Sequence, residues 1–160
     1  MLELEDGTVM VQTTAIMNYL GAVYKLAPED PMHQYKGQSL CEHFWNDFFG
    51  KYVPTALWAK PEERDEKIKV LMEQFHLFMA NLAKCLSADK KFICCDHTCV
   101  YDFQIGGFFC NLPLNEFAKD KELWAEAWEK APARVKQYVA DFQEDQKAYL
   151  DARPKGTRTV

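Results

Sequence analysis

The stretch Leu2-Glu3-Leu4-Glu5-Asp6-Gly7-Thr8-Val9-Met10-Val11-Gln12-Thr13-Thr14-Ala15-Ile16 decides how the rest of the chain is read. Asp6-Gly7 is a short-range hairpin signal. A tight primed turn needs positive φ, which Gly accepts freely and Asp tolerates, and apolar residues alternate on both sides of the pair. Two short strands are therefore predicted at the start, followed by a helix whose first turn follows Thr13 or Thr14. Either hydroxyl can accept the unpaired N–H groups of a helix start. A two-stranded ribbon with one helix buries too little apolar surface to stand alone, so this piece must lean on something else.

Composition narrows the class. The chain has 160 residues, of which 48% are hydrophobic, enough for one well-packed domain with a small appendage. Its net charge of −5 argues against a nucleic-acid partner, which would call for Lys and Arg clustered on one face. No apolar run is long enough to span a membrane, and the acidic start lacks the basic-then-apolar order of a signal peptide. A cytoplasmic protein is expected. The six cysteines show no disulfide framework, so they are read as free thiols.

Ala27-Pro28-Glu29-Asp30-Pro31 is a break, because each proline discourages helix in the residue before it, and it marks the expected boundary between segments 1–27 and 28–160. Beyond it helical periodicity dominates. Leu40, Phe44, Trp45, Phe48 and Phe49 give one helix an aromatic face that should end around Gly50 to Pro54. Ile68, Leu71, Met72, Phe75, Phe78, Met79 and Leu82 form the clearest amphipathic stripe, with acidic residues at its start. A central helix is predicted to begin near Thr98 to Asp102, with Thr98 in the cap position or, in the alternative the family alignment below favours, Cys99 there and Asp102 reaching back to backbone N–H groups. Gly106-Gly107 falls inside it, where close helix packing is the expected reason for two glycines. Asn111-Leu112-Pro113 ends it. Shorter helices are expected over 123–128 and 134–142, a helical ending over 146–154, and a frayed polar end over 155–160.

The order of these segments resembles the cytosolic glutathione S-transferases. Leu-Glu-x-x-Asp-Gly followed by Gln-Ser-x-Ala-Ile-x-x-Tyr-Leu is the family wording at the third strand, fourth strand and third helix of its thioredoxin-like domain, and Val11 to Leu20 is similar to it. The Cys99–Asp102 pair is similar to the capping box of the family's central helix. Gln146 to Pro154 resembles the ending of the alpha, mu, pi and sigma classes. The resemblance implies a mainly α fold, with a helical C-terminal domain over 28–160 preceded by a partial thioredoxin-like β-β-α piece over 1–27.

The same resemblance implies glutathione as substrate or ligand, with Gln12 and Thr13 holding its γ-glutamyl end and Glu42 reaching glutathione across a dimer interface. For Thr13 and Thr14 simple helix capping stays an equal reading, and for Glu42 an exposed, solvated position. The family's thiol-activating residue lies upstream of the matched segment, so no catalytic residue is assigned, and conjugation by this chain should be weak. Tyr19, Tyr24 and Tyr101 are read as packing aromatics. Asn18 stands where many family dimers carry a locking Arg. Phe44, Trp45, Phe48, Trp58 and Phe108 are candidates for a hydrophobic co-substrate pocket or simply for core. Cys94, Cys95, His97 and Cys99 suit zinc by type but crowd one turn, so no metal is expected. The edge of the first strand should be covered by a missing N-terminal half or by a protein partner, and an interaction subunit of a larger assembly is the alternative to an enzyme fragment.

Overall fold

In the computed structural model, residues 1–154 are described; the expected frayed end, 155–160, lies outside them. The chain opens with a hairpin in which β1 (Leu2–Glu3) pairs antiparallel with β2 (Val9–Met10), Leu2 opposite Met10. Its turn differs from the primed two-residue form. The Gly7 N–H bonds the Leu4 carbonyl, the Leu4 N–H bonds the Thr8 carbonyl, and Gly7 alone has positive φ, at 84°. That is a three-residue loop with a glycine bulge, and the Asp6 carboxylate steadies it by accepting the Thr8 N–H at 2.8 Å.

Helix α1 (Thr13–Val23) follows. Lys25, at φ 55°, ends it by letting the Leu26 and Ala27 N–H groups return to the Gly21 carbonyl. Helix α2 (Pro31–Glu42) starts after the proline break with Asp30 as N-cap, its carboxylate accepting the Met32 and His33 N–H groups. The aromatic helix does not stop at Gly50 to Pro54. It widens into a π-helical stretch (His43–Phe49), where the Gly50 N–H bonds the Trp45 carbonyl, and runs on as α3 (Gly50–Leu57) with Pro54 inside. Val53, Ala56 and Leu57 are buried there, so core packing carries the helix past a residue that lacks its own N–H.

Helix α4 (Pro61–Cys85) is the long amphipathic helix the stripe predicts, with Leu71, Phe75, Phe78, Met79 and Leu82 buried. Helix α5 (Val100–Asn111) crosses the middle of the molecule, with nine of its residues buried. Helices α6 (Lys121–Glu129), α7 (Ala133–Asp145) and α8 (Lys147–Ala152) complete the described residues. Among the described residues the architecture is mainly α with one small hairpin, and no helix is long and apolar enough to cross a membrane.

The start of α5 is set by a buried carboxylate. Asp102 accepts the Cys99 N–H at 2.8 Å and the Ile93 N–H at 3.1 Å, so one side chain fixes both the cap of α5 and the irregular segment before it. Burial pushes the Asp102 carboxyl above the usual range, against these hydrogen bonds, which favour the charged form. The next residue ties in the β-β-α segment, the Val100 N–H bonding the Leu26 carbonyl at 2.9 Å.

Neighbouring elements reach α5 by close approach at glycines. A Cβ on Gly37 of α2 would lie 2.1 Å from the Tyr101 ring, and one on Gly106 would lie 2.7 Å from the Phe142 ring of α7. Gly107 corrects the expectation for the pair, since a Cβ there would meet nothing within 4 Å.

Urea unfolding should separate these roles. Gly107→Ala should add about 0.5–1 kcal/mol through helix propensity alone. Gly106→Ala should cost about 1–3 kcal/mol, because the Phe142 ring must move. Asp102→Ala should cost about 2–4 kcal/mol by stranding two buried N–H groups.

Candidate functional site

Where β2 gives way to α1, the backbone is held in an unusual shape. Gln12 occupies the position before the helix at φ 74° and ψ 113°, a region that residues with a side chain seldom visit. No side chain caps α1, so the expected capping by Thr13 or Thr14 is not what forms. The first helical bond is from the Ile16 N–H to the Gln12 carbonyl. The preceding N–H groups, at the positive end of the helix, are left to solvent or to a ligand.

Thr13, exposed at the first turn, lines a cavity of about 290 Å³. Across from it stand Phe44, Trp45 and Phe49 from the π-helical stretch and Phe103 and Phe108 from α5. The wider turns of the π-helix place Phe44 and Phe48 inward while Trp45 and Phe49 remain partly exposed. A buried polar group is built into this wall. Gln104, 7% exposed, accepts the Trp45 indole N–H at 2.8 Å through Oε1, which fixes the amide's orientation and leaves Nε2 without a partner among the described residues.

Of the aromatic residues expected at a pocket, Phe44, Trp45 and Phe108 line this one. Phe48 does not: it is 2% exposed and stacked on Phe78 in the core. Trp58 is 66% exposed at the end of α3 and away from the cavity. Met17, Phe49, Phe103, Gln104, Gly107, Asn111 and Leu112 belong to the wall without being singled out by the sequence as pocket residues. A signal existed for part of this set, because 103, 107 and 111 share a helix face at four-residue spacing. Glu42 lies apart from the cavity, with its carboxylate accepting the Asn46 side-chain N–H at 2.7 Å.

The tyrosines divide. Tyr101 is buried against Gly37, as a packing aromatic should be, whereas Tyr19 and Tyr24 are exposed and pack no core. All six cysteines are free, and among the described residues no group of three His, Cys, Asp or Glu side chains is arranged to hold a metal. Cys94 donates to the His33 carbonyl at 3.1 Å. Hydrogen bonding to Cys94 and burial push the Cys99 thiol up, and burial pushes Cys110 up to about 11, so neither is a ready nucleophile.

No family model and no curated protein matches this sequence. Among solved structures, a glutathione S-transferase from Ascaris lumbricoides superposes with a TM-score of 0.72 at 20% identity, over 95% of this chain and 73% of that one. A glutathione S-transferase from Rhodospirillum rubrum does so with a TM-score of 0.62 at 17% identity, over 98% and 69%. The fold is that of a glutathione S-transferase. The hairpin and α1 are thus the strand-strand-helix part of that fold, and α2 to α8 its helical part.

Proposed function

We propose that this chain binds glutathione at the junction of β2 and α1, with Gln12 and Thr13 holding the γ-glutamyl end. In this reading residues 1–27 are part of a thioredoxin-like domain, 28–160 are the helical domain, and the chain is closest to the alpha, mu, pi and sigma classes. The observation that carries it is the strained Gln12 backbone, placed directly before the uncapped start of α1 and beside a cavity walled by aromatic rings. Strain of this kind costs about 1–3 kcal/mol and persists where it serves a site. The α1 N-terminus suits a carboxylate, while the Gln12 amide and Thr13 hydroxyl add hydrogen bonds.

The aromatic cavity then takes the apolar partner of the thiol. A free thiol near pKa 8.5 is mostly protonated at neutral pH, so conjugation needs a donor that stabilises the thiolate. In the family the chain resembles, such a donor lies on the first strand or the loop after it, and no residue of this chain is assigned the role. Glu42 contributes only across a second copy.

A second reading, an interaction subunit that uses the same fold without turnover, draws on the apolar side chains shown by the hairpin and α1. Val9, Val11, Val23 and Tyr24 are all more than half exposed. A partner chain covering that surface would make this piece part of a larger assembly.

Calorimetric titration tests the first reading. Glutathione should bind, and cysteinylglycine, which lacks the γ-glutamyl group, should bind at least about tenfold more weakly. Thr13→Ala should weaken glutathione about fivefold, one hydrogen bond's worth. Gln12→Gly should raise stability by relieving the backbone while also weakening glutathione. Equal binding of the two peptides, or none of either, contradicts the assignment.

A further inference from the structure

The segment 86–99, between α4 and α5, carries neither helix nor strand and holds three of the six cysteines. It turns back on itself where the Phe92 N–H bonds the Cys95 carbonyl at 3.0 Å. One carboxylate then clasps it at two points. Asp102 takes the Ile93 N–H, just before Cys94, and the Cys99 N–H. Cys94 and Cys99 are thereby brought together, and their thiols are hydrogen-bonded to each other. Both are buried.

The two members of the pair differ in acidity. The hydrogen bond from Cys99 holds the Cys94 thiol below its usual range, against burial and the nearby Asp102 charge, whereas the same bond and burial push Cys99 up. Cys94 is therefore the member that supplies a thiolate, and Cys99 the member that keeps its proton. When protonated, Cys94 donates to the His33 carbonyl of α2 at 3.1 Å. The neighbouring thiols do not compete. Burial pushes up both Cys95 and Cys41, the latter donating to the Tyr101 carbonyl at 3.8 Å. Lys91, Asp96 and His97 beside the pair are exposed, and a segment without regular secondary structure opens more readily than the helices around it.

We propose that Cys94 and Cys99, clasped by Asp102 at the start of α5, form a reversible disulfide with a small hydroperoxide as oxidant, and so make a redox-sensitive device. The Cys94 thiolate attacks one peroxide oxygen, the O–O bond breaks, and the departing oxygen takes a proton and leaves as water or an alcohol. Cys94 is then a sulfenic acid. The Cys99 sulfur attacks the Cys94 sulfur, the S–O bond breaks, and the hydroxide takes the Cys99 proton and leaves as water. Two thiols are thus oxidised by two electrons while one peroxide is reduced. Neither sulfur then has a proton to donate, so the Cys94 bond to the His33 carbonyl is lost, and with it a side-chain tie between this segment and α2. This goes beyond the glutathione reading and needs no glutathione.

The test treats the full, reduced chain with hydrogen peroxide, blocks the remaining thiols with iodoacetamide in denaturant and maps the cysteines by mass spectrometry. Exposure alone would direct peroxide to Cys85, which is exposed, and leave the buried pair as thiols. The proposal expects instead a Cys94–Cys99 cross-link, lighter by its lost hydrogens, that forms before Cys85 is oxidised and is reversed by dithiothreitol. Cys95→Ser should still form it, which separates the adjacent cysteines. Cys99→Ser should fold, serine being a favoured cap residue, and should stop at a Cys94 sulfenic acid that dimedone traps. Cys94→Ser should leave Cys99 a thiol under the same treatment. Oxidation of Cys85 with Cys94 and Cys99 both alkylated, a cross-link that uses Cys95 or Cys41 instead, or a folded Cys99→Ser protein with no trapped sulfenic acid each overturns the proposal. Mapping of the parent chain needs no variant, so it decides the matter if a substitution misfolds.

Discussion

One buried carboxylate holds the arrangement together. Asp102 accepts the N–H of Cys99 and of Ile93 from a position that water does not reach, and burial works against its charge. A group in that position is stable only while its hydrogen bonds are formed, so the cap of α5 and the segment before it stand or fall together. Once that start is fixed, the Val100 N–H can meet the Leu26 carbonyl, and α1 is anchored beside α5. The glycine contacts at Gly37 and Gly106 then bring α2 and α7 close to the same helix. The candidate site follows from this, because Phe103, Gln104, Gly107 and Phe108 all lie on the helix that Asp102 begins.

Much of that frame is legible in the residues. Asp6-Gly7 marks the hairpin, the Pro28 to Pro31 break marks the start of the helical part, and the apolar stripe from Ile68 to Leu82 marks α4, because each depends on local chemistry or on a single periodicity. What escaped depends on geometry between segments. The spacing of Phe44, Trp45, Phe48 and Phe49 suits an α-helix as well as a π-helix, so it shows neither the widening nor which rings face the cavity. Gly106 and Gly107 are adjacent and identical, yet one meets a ring from α7 and the other an empty groove. Only the position of α7 separates them.

The site shows the same division. That Gln12 and Thr13 stand at a helix start is readable from the chain, but the strained backbone of Gln12 and the missing cap are not, since Thr13 and Thr14 have the chemistry to cap and do not use it. The orphaned Gln104 amide depends on Trp45, 59 residues away. Trp58 shows that aromatic character alone does not place a ring at the cavity, because α3 ends one residue before it and leaves it in solvent.

The central claim is that glutathione is held where β2 meets α1. Backbone amide NMR during a glutathione titration addresses it without relying on turnover. The account predicts the largest shifts at the N–H groups of Gln12, Thr13 and Thr14, spreading to the Trp45 indole across the cavity. Saturating glutathione that leaves those amides unmoved, or moves only residues remote from α1, would contradict it.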